Sequence, residues 1–72
     1  MNIEAAKQYA DEVTAIMAQI DRSAAMLRQS CDGEELAMHL LRLAQVAASL
    51  QDDVLNPLFI EYPDTKPAGY VL

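Results

Sequence analysis

Between Asn2 and Asn56 the chain contains one glycine, Gly33, and no proline; all three prolines and the second glycine come later. A long stretch without these residues has no built-in reason to leave the helix, apart from one break at "SCDGEE". Two long helices and a different C-terminal segment are therefore the simplest reading. An all-α fold is expected.

The first helix is predicted from about Ile3 to about Ser30. Asn2 suits the N-cap, and Glu4 sits favourably against the helix dipole. Residues seven apart form three neighbouring columns. These are Ala6, Val13, Ile20 and Leu27; Tyr9, Ile16, Ser23 and Ser30; and Ala10, Met17, Ala24 and Cys31. The apolar seam is expected to begin on the first two columns and drift toward the third, as a straight helix drifts against a strict heptad.

At the break, Gly33 can adopt the left-handed conformation that follows a helix end. Asp32 and Glu35 have the spacing of a capping box. So short a connection makes the two helices antiparallel neighbours. The second helix is predicted from about residue 34 to about residue 53. Its seam, Leu36, Leu40, Leu43, Ala47, Leu50 and Val54, alternates steps of four and three, the heptad pattern. Beside it runs a second stripe of Ala37, Leu41, Ala44 and Ala48. One stripe can face the first helix, whereas the other needs a further surface.

Size sharpens that need. A core built from 72 residues seldom yields more than roughly 3–5 kcal/mol without a disulfide, a metal or self-association. Cys31 is the only cysteine and His39 the only histidine. Neither an intrachain disulfide nor a single-chain zinc site is possible. With 53% apolar residues, the chain carries more apolar surface than one hairpin hides. A homodimer forming a four-helix bundle is the expected solution, with Val13, Ile16, Ile20, Leu36, Leu40, Leu43, Ala47 and Leu50 as its core.

The formal charge is −6, and no basic patch is present. Direct binding to nucleic acid or to an anionic membrane is not expected. The opening "MNIEAAKQYA" lacks the basic and apolar regions of a signal peptide. Together with the lone thiol, this suggests a cytoplasmic protein.

Chemistry is sparse. Glu35 and His39 share a helix face, but the seams supply no inward carboxylates or histidines to complete a metal site. Cys31 precedes a helix N-terminus, which favours a thiolate; Asp32, Glu34 and Glu35 oppose it. The serines have no histidine placed as a base, and two glycines cannot build a phosphate loop. No catalytic residue, cofactor or metal is expected.

The C-terminal segment 56–72 holds the only phenylalanine and two of the three tyrosines. Pro57 should push Asn56 out of the helix, leaving an extended arm. Phe59, Tyr62, Tyr70 and Leu72 are then candidate partner-binding anchors, with Asp52 and Asp53 steering a basic surface toward them. The functional expectation is a small acidic protein-binding module: an adaptor, chaperone-like subunit or inhibitor of a larger protein. The alternative is a homo-oligomeric bundle that holds a small molecule between subunits.

Overall fold

The computed structural model describes residues 1–70 and is all-helical across them. Helix α1 runs Ile3–Ser30, and α2 runs Gly33–Ser49. A π-helical segment, Leu50–Leu55, follows without a break and leads into α3, Asn56–Glu61. A 3₁₀ turn at Pro63–Thr65 begins the C-terminal arm.

The start of α1 is capped as expected. Asn2 Oδ1 accepts from the Ala5 N–H at 2.8 Å. At the hairpin bend Gly33 has φ of 62°, a conformation that Cβ-bearing residues adopt at a cost. The capping box is absent: Asp32 makes no side-chain cap bond. The turn is closed instead by the Leu36 N–H, which donates to the Asp32 carbonyl at 3.2 Å.

Packing corrects the seam of α1. Its first column and third column face the rest of the chain, from buried Ala6, Ala10 and Val13 to half-buried Met17, Ile20, Ala24 and Leu27. Those positions follow steps of four and three throughout, so no drift occurs. The second column stays outside: Tyr9 is 43% exposed and Ile16 51%. On α2 the seam Leu36, Leu40, Leu43 and Ala47 meets α1 but is only half-buried. The stripe Ala37, Leu41, Ala44 and Ala48 is exposed.

The best-buried core lies at the other end. Ala6, Ala10 and Val13 of α1 pack with Leu55, Leu58 and Phe59, with Met17, Leu50, Val54, Tyr62 and Tyr70 around them. This overturns the expected stop of the second helix near residue 53. Asn56 is helical at φ −60° and ψ −47°, and helix continues to Glu61. An unbroken α-helix would bring Pro57 and Glu61 to the seam. The π segment contributes one extra residue to its turn, so Leu58 and Tyr62 arrive there instead. The wider turn also relieves the clash between a proline ring and the carbonyl four residues back. The energies favour this solution. A helix-interior proline costs about 3 kcal/mol. Burying Leu55, Leu58 and Phe59 returns about 1.5–3 kcal/mol each.

Candidate interaction surface

The aromatics of α3 and the arm are engaged in the chain's own fold. Phe59 is 3% exposed, so it offers no anchor to a partner. Tyr70 meets it edge to face, with ring centroids 5.1 Å apart and planes at 72°. The Tyr70 hydroxyl donates to Asn56 Oδ1 at 2.7 Å and accepts from the Gln51 amide. Gln51 also donates to Asn56 Oδ1, at 2.7 Å. Tyr62 is half-buried, and its hydroxyl donates to the Met1 carbonyl at 2.6 Å. Leu72 lies outside the described residues. Asp52 and Asp53 are exposed on the π segment.

Gln51 carries no signal in the helical pattern, and Asn56 stands out there only as the residue before Pro57. They stand five apart. In a π-helix that spacing stacks two side chains as i, i+4 does in an α-helix. The Asn56 N–H also donates to the Gln51 carbonyl. A glutamine and an asparagine five apart, just before a proline, was the one available clue.

The arm lies over one side of the hairpin. Pro67 and Tyr70 line a hollow of about 300 Å³ together with Thr14, Met17, Asp21 and Gln51. Gly69, with φ of 80°, helps turn the chain there, and the Tyr70 N–H donates to the Pro67 carbonyl at 3.1 Å. Farther along the same side, Asp21, Ala24, Arg28, Leu40 and Ala44 line a second hollow of about 420 Å³.

The opposite side is bare. There Met26, Leu27, His39, Arg42, Leu43 and Val46 line an open groove of about 270 Å³. Met26 is 55% exposed and Val46 53%. Ser23 also lines this groove, and Tyr9 and Ile16 stand 14 and 7 residues before it in its column. They therefore extend the same side along α1. Elsewhere on α2, Met38 is 45% exposed and Leu41 60%.

Titratable chemistry stays dispersed. Cys31 is a free, half-buried thiol whose Sγ lies 3.2 Å from the Leu27 carbonyl oxygen, as a weak donor to it. Among the described residues, no group of three or more His, Cys, Asp or Glu is gathered to hold a metal ion. No described helix is long and apolar enough to cross a membrane. In comparison with known proteins, no family model, no curated protein and no solved structure matches this chain.

Proposed function

We propose that this chain is a small acidic protein-interaction module, acting as an adaptor, chaperone-like subunit or inhibitor of a larger protein in the cytoplasm. It works by binding rather than catalysis, and it pairs with itself into a four-helix bundle. One observation carries the reading. Large apolar side chains are exposed on separate faces of the hairpin: Ile16, Met26 and Val46 on the bare side, and Met38 and Leu41 on the outer part of α2. These faces are separate, so one self-contact through the bare side leaves Met38 and Leu41 uncovered. Exposed apolar patches of this kind characterise interaction sites, and exposed methionines adapt to varied partners.

The burial of Phe59 moves the expected recognition element from the arm to the helices. A net charge of −6 favours a partner whose apolar site is rimmed by basic residues. The alternative, a ligand-holding bundle, draws support from the groove beside His39 and Arg42, which a second copy would roof over.

The test is affinity capture with cross-linking from the native host, comparing wild type with Leu41→Glu and Leu41→Met. A captured protein lost with glutamate and retained with methionine supports the reading. Recovery of no protein that depends on Leu41 refutes partner binding through the outer part of α2.

A further inference from the structure

We infer that the bare side of the hairpin, bearing Tyr9, Ile16, Met26 and Val46, is the face on which a second copy of this chain packs. The inference rests on the self-pairing proposed above and specifies where it occurs.

Area is the first argument. A compact monomer of this size exposes about 4,400 Å², whereas this chain exposes 5150 Å². The difference, on the order of 700 Å², approaches the roughly 800 Å² that each partner buries in an ordinary stable interface. Shape agrees. The radius of gyration is 14.7 Å, against about 11 Å for a compact domain of this length and about 14–15 Å for one twice as long. The hairpin measures 45 × 21 × 18 Å. Its broad side therefore projects about 900 Å², enough for a standard interface. Two hairpins laid broad side to broad side make a body less elongated than one hairpin.

The second argument chooses the side. The arm already occupies part of the other broad side, where Pro67 and Tyr70 lie against Thr14, Met17 and Gln51. Beyond the arm that side sets a carboxylate and a guanidinium, Asp21 and Arg28, among Ala24, Ala44 and Ala47 and the half-buried Ile20, Leu40 and Leu43. The bare side carries no arm. It presents Ile16 at 51%, Met26 at 55% and Val46 at 53% exposure, and Arg42 is the one Asp, Glu, Lys or Arg lining its groove. From Tyr9 to Met26 the strip runs about 25 Å along α1 at 1.5 Å per residue. Covering large apolar side chains that are more than half exposed gives more transfer free energy than covering alanines and leucines that are already half-buried. A two-fold pairing would set this patch against itself, so each substitution enters the seam twice.

The experiment is sedimentation equilibrium of the full chain from micromolar to sub-millimolar concentration, with far-UV circular dichroism on every variant. Wild type should reach the mass of two chains. Ile16→Glu and Val46→Glu should each weaken association by at least about tenfold, because each puts a carboxylate in place of an apolar side chain that pairing would cover. Leu41→Glu, outside the seam, should leave the mass unchanged. Both seam positions are half exposed in the single chain, so helicity should survive. If a glutamate variant loses helicity, Ile16→Ser or Val46→Ser reads the same contact. Dimers that persist in both seam variants, or that Leu41→Glu alone dissolves, overturn this choice of face while leaving self-pairing intact. A wild-type mass of one chain throughout overturns self-pairing as well, and leaves the Leu41-dependent capture as a separate test of the interaction module.

Discussion

Replacing Phe59 by alanine removes the ring that joins α1, α3 and the arm. The ring is 3% exposed and contacts Tyr70 edge to face. A Phe-to-Ala truncation in a core costs about 3–5 kcal/mol. Part of that is the aromatic pair itself, worth about 0.5–1.5 kcal/mol. A chain of 72 residues has a total stability of about 4–11 kcal/mol at typical values per residue. The substitution thus removes about a quarter of the stability or more. In a domain of this size each kcal/mol moves the melting temperature by about 4–8 °C, so Phe59→Ala should lower it by at least about 12 °C. The assay is thermal melting followed at 222 nm. Wild type and variant are compared at equal protomer concentration, because self-association makes melting concentration-dependent. If Phe59 were a surface anchor for a partner, the loss would be small. A shift below about 4 °C would refute the core placement and return Phe59 to the list of recognition residues.

Leu43→Ala should cost clearly less than Phe59→Ala in dilute protein, since Leu43 is only half-buried; a larger loss would place the core at mid-hairpin, and parallel urea titrations decide it. Tyr70→Phe keeps the ring against Phe59 but removes the hydroxyl shared with Gln51 and Asn56, so a loss of about 1 kcal/mol is expected in the same titrations. Deleting Asp53 in a Pro57→Ala background converts the π segment to plain α-helix and still brings Leu58 and Tyr62 to the seam. The protein should stay folded by circular dichroism, and unfolding would overturn the register account. Two protomers at −6 each repel. Raising ionic strength shortens the screening length from about 30 Å to about 8 Å, so sedimentation should report tighter pairing with salt.

Much of the architecture was legible in the order of residues. The N-cap at Asn2, the start of α1 and the bend at Gly33 each depend on neighbours within a few positions. The seam of α2 is a pattern the residues carry themselves. Three features needed contacts at longer range. The sequence favoured Tyr9 and Ile16 as the flank of the first column, although Ala10 and Met17 continue an apolar stripe as well. The second helix, with its 4–3 spacing, decides it by accepting only a matching seam. Gln51, Asn56 and Tyr70 are ordinary polar residues in sequence and become a bonded cluster only when the arm returns to the π segment. For the candidate surface, Met26, Met38 and Val46 stand off the main apolar seams, whereas the division into a bare side and an arm-covered side depends on where Pro67 and Tyr70 come to rest.

Local chemistry in the sequence therefore determined that the chain is helical and where it bends, because caps and glycine act within one or two turns; which of the two stripes of α2 meets α1 was left to the packing. Tertiary structure decided what happens at Pro57. Local preference says stop, at a cost of about 3 kcal/mol for continuing. The burial of Leu55, Leu58 and Phe59 against Ala6, Ala10 and Val13 outweighs that cost once one extra residue in the turn has aligned them. The aromatics near the C-terminus consequently close the chain's own core, and the apolar surface left open lies on the helices.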